Sequence, residues 1–392
     1  MPAGCRPRMM IFTFLLPFFL IYGGLHFYIF LKVKGVIHTG PIANLCLIIF
    51  LVTMVFAPLI VRLAEREGFD FLARIMSYMG YTWMGVLFLF FCASLILDIY
   101  CFVISTVSLI FHRKFFHLTL SLPHAFAISL LVSLCVNVYG YFEAKDIGTE
   151  RVIIRTTKIP EEVGRIRVVQ ISDVHLGIIV GEKRLKRIVE EIKKTEPQML
   201  LSTGDLLDGQ INKLQIPAEF LGDLHPVYGK FAITGNHEFY AGLNDALDFT
   251  HRAGFTVLRG EGVTVGGLIN IAGVDDPAGK GFGLYKEVSE KELLSRLPRK
   301  NFTLLLKHQP VVNRDALEFF DLQLSGHTHK GQIFPFSLIT RLYFPLHSGY
   351  FPLTNRSSLY VSRGAGTWGP PIRFLSPPEI TIIDLVHDNK FL

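Results

Sequence analysis

Hydrophobic residues are distributed along this chain in two textures. Up to residue 142 they come in long runs: Met9 to Leu31, Pro41 to Val61, Tyr78 to Phe111 with Asp98 as its interruption, and about Leu118 to Phe142. A membrane-spanning helix needs about 20 apolar residues, so four spans are expected at 9–31, 41–61, 78–111 and 118–142, in a transmembrane domain covering residues 1–145. The third run would be roughly 50 Å long at ~1.5 Å per residue, more than a ~30 Å hydrocarbon core requires. It reads as one helix that projects from the bilayer, with a tight pair of spans as the alternative. Arg6 and Arg8 precede the first run, but that run is too long for the apolar region of a signal peptide, and no small-residue cleavage site follows it.

After Glu150 the apolar residues come in short groups separated by polar and glycine-containing turns. Residues 151–157, 165–172, 199–203, 227–233, 256–258, 263–265, 269–274, 302–307, 321–325, 358–362 and 379–385 read as strands. Residues 182–195 carry Leu185, Ile188, Val189 and Ile192 at helical spacing, and Pro197 follows. Further helices are expected near 218–224, 244–253 and 286–297. Alternation of the two kinds predicts an α/β domain over residues 150–392, with a mixed sheet or two packed sheets. The fold class expected is therefore an α-helical membrane domain followed by an α/β domain.

Charge and cysteine content narrow the function. The net charge of +6 is divided evenly, 10 Lys and Arg against 7 Asp and Glu in residues 1–150, and 29 against 26 in the rest. Neither half has the concentrated basic character that nucleic-acid binding requires, and no nucleic-acid partner is expected. All five cysteines lie at or before Cys135, so any metal in the C-terminal half must be held by nitrogen and oxygen. Lys and Arg favour the cytosolic face of a membrane. With four spans, Arg6, Arg8, Arg62, Arg66, Arg74, Lys145, Arg151, Arg155 and Lys158 fall on one side, against Lys32, Lys34, Arg113 and Lys114 on the other. This asymmetry places the C-terminal half in the cytosol. Asn301 and Asn355 stand in glycosylation sequons, which would be used only on the opposite side. His26 and Asp98 are ionisable groups within the spans, read either as functional groups or as polar residues inside the helix bundle.

Five apolar runs in the C-terminal half end in metal-ligating residue types. They lead into Asp173-Val174-His175, Gly204-Asp205-Leu206-Leu207-Asp208, Gly235-Asn236-His237-Glu238, His308, and Gly326-His327-Thr328-His329. Ligand sites in open α/β sheets lie beyond the carboxyl ends of the strands, so these motifs are expected at one edge. In order and content they resemble the calcineurin-like metallophosphoesterases, whose pattern is Asp-x-His, Gly-Asp-x-x-Asp, Gly-Asn-His-Asp/Glu, His and Gly-His-x-His. The resemblance covers about residues 160–390. It implies two packed mixed β-sheets flanked by helices. Gly364 to Ile372, with Arg373-Phe374 and Pro377-Pro378-Glu379, looks like the tail of the family's membrane-associated branch.

Carried onto this chain, the resemblance implies that Asp173, His175 and His329 hold one metal and Asn236, His308 and His327 a second. Asp205 would bridge them. His237 would act as general acid or as a donor to phosphoryl oxygens, oriented by Asp208, and Glu238 would shape the turn. Imidazole and carboxylate ligands suit Mn, Fe or Zn. Two such ions lower the pKa of a shared water, and the resulting hydroxide attacks phosphorus in line. The expected activity is hydrolysis of a phosphomonoester or phosphodiester, in or near the lipid bilayer. Gly209 stands where the family's protein phosphatases have Arg, which turns the reading toward small-molecule, nucleotide-like or lipid esters. Lys330 stands where the membrane branch often has Gly. Lys330, Arg363 and Arg373 are candidate contacts for the substrate's anion. The alternative from another class is a membrane scaffold or receptor that binds a phosphorylated ligand without turnover.

Overall fold

A computed structural model describes residues 6–38, 40–112, 115, 118–209 and 218–388, with side chains from residue 16 onward. Arg113 and Lys114, counted in the charge asymmetry, lie outside the described residues, as do the side chains of Arg6 and Arg8. The chain divides into two compact units, one of residues 1–142 with 369–372, the other of residues 143–368 with 373–392.

Among the described residues, the first unit contains α1 (Arg6–Val36), α2 (Pro41–Glu67), α3 (Asp70–Ile110) and most of α4 (Leu122–Lys145). All four are long and apolar enough to cross a membrane. α1, α2 and α4 continue past the carboxyl ends of their apolar runs and α3 begins before its run, because helix-compatible polar residues, such as Arg62, Glu65, Arg66 and Glu67 in α2, continue the backbone pattern. The third run is a single helix of 41 residues. Its Asp98 accepts hydrogen bonds from Lys32 Nζ at 2.5 Å and Tyr28 at 2.6 Å on α1. His26 Nδ1 donates to the Tyr22 carbonyl at 2.7 Å, while its Nε2 accepts from Trp83 at 2.9 Å. Both ionisable residues are thus satisfied within the helix bundle, which a low-dielectric surrounding demands.

The second unit runs β1 (Gly148–Thr156), β2 (Arg165–Ile171), α5 (Glu182–Lys194), β3 (Met199–Ser202), α6 (Glu219–Gly222), β4 (Lys230–Ala232), α7 (Asn236–Ala241), α8 (Leu243–Arg252), β5 (Thr256–Val257), β6 (Glu261–Val265), β7 (Ile269–Gly273), α9 (Gly279–Phe282), α10 (Glu290–Ser295), β8 (Phe302–Leu306), β9 (Leu322–Ser325), α11 (Phe336–Tyr343), β10 (Gly349–Pro352), β11 (Ser358–Val361) and β12 (Glu379–His387). These strands make two six-stranded mixed sheets, ordered β1-β12-β2-β3-β4-β5 and β10-β11-β9-β8-β7-β6. In the first sheet β2 to β5 are parallel, and β12 is antiparallel to β2. In the second, β7, β8, β9 and β11 are parallel.

Strand alternation explains the layering. On β2, Ile166 and Val168 join the core between the sheets, with Leu201, Ile271, Leu304 and Leu324. Val169 and Ile171 point the other way and pack with Leu185, Ile188 and Ile192 of α5. The apolar stripe of α5 is thereby buried while its lysines and glutamates face water. With the sheets stacked this way, the carboxyl ends of β2, β3, β4, β8 and β9 lead directly into the five polar motifs.

Candidate metal centre

The structure brings the sequence-selected residues together beyond these strand ends. Asp173 and His175 follow β2, Asp205 and Asp208 follow β3, and Asn236 and His237 open α7 after β4. From the second sheet, His308 follows β8, and His327 and His329 follow β9. Asp173, His175 and His329 form one set whose possible ligand atoms all lie within 4.8 Å of one another; Asp205, His308 and His327 form another, and His175, Asp208 and His237 a third. His175 Nε2 faces His329 Nε2 at 3.0 Å, and His329 Nε2 is 3.4 Å from Asp173 Oδ1. In the second set His327 Nδ1 lies 3.0 Å from Asn236 Oδ1 and 3.2 Å from His308 Nε2. Asp205 Oδ2 stands between the sets, 3.1 Å from His308 Nε2 and 3.8 Å from His175 Nε2.

Hydrogen bonds fix the donor atoms. His308 Nδ1 must donate to the Thr203 carbonyl at 2.8 Å, which turns Nε2 toward Asp205. The Asp173 carboxylate accepts from Ser172 Oγ at 2.5 Å and from the His327 backbone N–H at 3.0 Å. Asp205 Oδ1 accepts the His237 backbone N–H at 2.8 Å. The backbone itself is strained here. Asp173, His175, Asp205, His327 and His329 all have φ between 48° and 71°, a left-handed region that costs energy for residues with a Cβ. Five ligand candidates share this conformation, and it aims their side chains into one space. Gly204, at φ 95°, has no room for a Cβ, which would lie 2.6 Å from the Gly235 nitrogen.

Electrostatics keep the donors in ligand form. Burial, with neighbouring positive charge, lowers His175 to about 4 and His327 to about 3, so both imidazoles are neutral. Burial and then the Arg373 guanidinium hold His329 well below the ordinary value. For Asp205 burial acts to raise the pKa, but His308 and His237 outweigh it and keep the carboxylate ionised. His237 shows the opposite balance: burial lowers it, while Asp205 and Asp208 raise it to about 9. Its Nδ1 lies 3.0 Å from Asp208 Oδ1, leaving Nε2 for another partner.

Three residues take places that sequence alone did not assign. Glu238 is buried, and its carboxylate accepts the backbone N–H groups of Asp205, Leu206, Leu207 and Gly235 at 2.7–3.3 Å. It ties the loop carrying Asp205 to the start of α7, which is more than shaping a turn. Glu238→Gln is expected to lower metal affinity by about 10- to 100-fold, the usual cost of losing a group that orients a ligand; equilibrium dialysis measures it, and unchanged affinity would show that the loop keeps its position without the charge. Tyr240 and Trp368 stand beside His237, ring centroids 5.4 and 6.0 Å away. The Trp368 contact spans more than 120 residues of sequence, so no local pattern announces it.

Two anion contacts considered from sequence are placed differently. Arg373 is fully buried, donating to the carbonyls of Arg363, Gly366 and Ser376, with its guanidinium 3.1 Å from His329 Nδ1. Arg363 pairs with Glu150 and Glu379 at 2.6 and 2.8 Å. Both guanidiniums are engaged with the protein itself.

A family model described as calcineurin-like phosphoesterase matches residues 166–331. An uncharacterized metallophosphoesterase of Aquifex aeolicus is 39% identical over 257 residues, covering 65% of this chain and 98% of that protein. The transmembrane protein with metallophosphoesterase domain of Danio rerio is 32% identical over 277 residues, covering 66% of this chain; the chain spans 62% of that protein's length. Among solved structures, a 5'-nucleotidase precursor from Thermus thermophilus is 16% identical with a TM-score of 0.35, covering 57% of this chain, which spans 54% of that one.

Proposed function

Because this chain belongs to the calcineurin-like metallophosphoesterases, we propose that it is a membrane-anchored hydrolase that cleaves a phosphomonoester or phosphodiester at a two-metal centre. The observation carrying this reading is the convergence of six nitrogen and oxygen donors from both sheets around the Asp205 carboxylate. The donors fit divalent ions: His175 and His329 present ring nitrogens to each other at 3.0 Å in a buried site, next to the Asp173 carboxylate. Such hard and borderline donors suit Mn, Fe or Zn.

In this reading Asp173, His175 and His329 hold the first ion, Asn236, His308 and His327 the second, and Asp205 both. When bound, the two ions supply a water nucleophile at neutral pH and charge neutralisation for the phosphoryl group. His237 then acts at the phosphoester oxygens through Nε2. Asp208 holds the opposite ring nitrogen and sets the direction in which His237 can pass a proton. Tyr240 and Trp368 pack edge-on against the His237 ring and steady its orientation.

The test is metal content and turnover of the full chain in detergent, using an aryl phosphomonoester and an aryl phosphodiester. About two ions per chain with turnover of either ester is the expected result. Two ions without turnover of either would favour a membrane protein that binds a phosphorylated ligand, and no metal would remove the enzymatic reading.

The lysine and arginine asymmetry supports a cytosolic catalytic unit. Asn301 is unsuited to report on this point, since its buried amide donates to Asn270 at 3.1 Å. Asn355 is exposed. Chain expressed in a glycosylating cell is expected to show no glycosidase-sensitive mass shift, and a shift abolished by Asn355→Gln would place the catalytic unit on the other side.

A further inference from the structure

Helix α11 stands out because most of its large apolar side chains are exposed. Thr340 is its buried residue. Phe336, Leu338, Ile339, Leu342 and Tyr343 are 46–81% exposed, and Phe334 just before it is 41% exposed. A helix at the surface of a water-soluble domain turns such side chains inward; this one presents them outward. Arg341 is exposed among them.

The helix is also part of the metal site's rim. It follows His329 after six residues, and the Phe344 ring at its end packs edge-on against His327, centroids 5.3 Å apart. Thr328, between the two histidines, donates to the His347 carbonyl at 2.6 Å just beyond the helix.

Chain connectivity brings the membrane tether to the ligand edge of the first sheet. Asp146 and Ile147 join membrane helix α4 to β1, so β1 starts within about 10 Å of the helix end, at the ~3.3–3.6 Å reach of each residue. Gly148 pairs with Glu379 on β12, and Thr381 on the same strand pairs with Gln170, three residues before Asp173. The tether therefore enters the catalytic unit at the sheet edge that carries the ligands. We propose that α11 docks into the headgroup–acyl boundary of the bilayer that α4 crosses, inserting Phe336, Leu338, Ile339, Leu342 and Tyr343 beside the metal site. A short apolar helix with an aromatic residue and an arginine at the interface is suited to that position. Resting on the enzymatic reading above, the inference makes the substrate an amphiphilic phosphoester whose phosphate rises from the membrane surface into the site.

Docking is read without turnover. In full-length chain with its five cysteines replaced, reconstituted in phosphatidylcholine nanodiscs, Leu342→Cys carries an environment-sensitive nitrobenzoxadiazole label. Val227→Cys is the control, 84% exposed and ahead of β4 at the opposite sheet edge. Lipids spin-labelled high on the acyl chain are expected to quench the Leu342 label at least twofold and to leave the Val227 label unchanged. An unquenched Leu342 label, including one shifted to the blue by protein contact or a second copy, overturns docking; quenching at both positions overturns its assignment to α11. For the substrate, Leu338→Glu/Leu342→Glu is expected to lower the ratio of long-chain lipid phosphoester to aryl phosphoester turnover at least tenfold. An unchanged ratio overturns the lipid assignment. A chain that docks but hydrolyses nothing would leave the docking helix standing and remove the enzymatic reading.

Discussion

Asp205→Asn is expected to lower turnover by about a thousandfold, equivalent to ~4 kcal/mol of transition-state stabilisation, and to reduce metal content below two ions per chain. The substitution is almost isosteric. Its Oδ1 still accepts the His237 N–H that Asp205 receives at 2.8 Å, so α7 keeps its place. What is lost is the negative charge of the other oxygen, located between His308 and His175. The Asp205 carboxylate would offer an anionic partner to both cations, whereas an amide with its oxygen held by the His237 N–H would present only its NH2 group there. The second ion, held otherwise by Asn236 and two imidazoles, loses its anionic ligand and is expected to leave first. Metal analysis beside turnover measures both effects. A variant that kept two ions and ordinary turnover would show that Asp205 does not join the two sites.

His237→Ala is expected to separate chemistry from metal binding. The imidazole pairs with Asp208 and packs edge-on against His175, but it belongs neither to the group of Asp173, His175 and His329 nor to that of Asp205, His308 and His327, so both ions should remain. Loss of a positioned general acid removes about 10²- to 10⁴-fold in rate. The loss should depend on the leaving group: a nitrophenolate departs without protonation, whereas an alkoxide needs a proton, so the alkyl ester should suffer much more. Equal losses on both esters would indicate that His237 stabilises phosphoryl oxygens instead of protonating the leaving group. Reduced metal content would assign it to the metal shell.

Much of this centre was legible along the chain because a strand end is a local feature. An apolar run that stops at Asp-x-His or Gly-Asp-x-x-Asp announces both the strand and what stands at its tip, and the five runs needed only a common edge. Glu238 was less legible. Its sequence position suggested a turn residue, but its partners, the N–H groups of Asp205 to Leu207, lie more than 30 positions away. Arg373 looked from its charge like an anion contact; burial commits it to backbone carbonyls. Helix α11 escaped notice because it is only eight residues long, and the polar stripe of Ser337, Thr340 and Arg341 repeats too few times to set a helical period.

Local sequence was enough to establish the two textures of the chain, the run of strands and the identity of the metal-ligand candidates. Each depends on spacing over a few residues, which side-chain alternation and backbone preference control directly. Tertiary structure settled which atoms face one another: Asp205 between the two sets, Glu238 beneath its loop, Arg373 behind His329, and Phe344, at the end of α11, beside His327. Those relations arise where two sheets stack and bring distant strand ends within hydrogen-bonding range, a distance that no pattern along a single strand encodes.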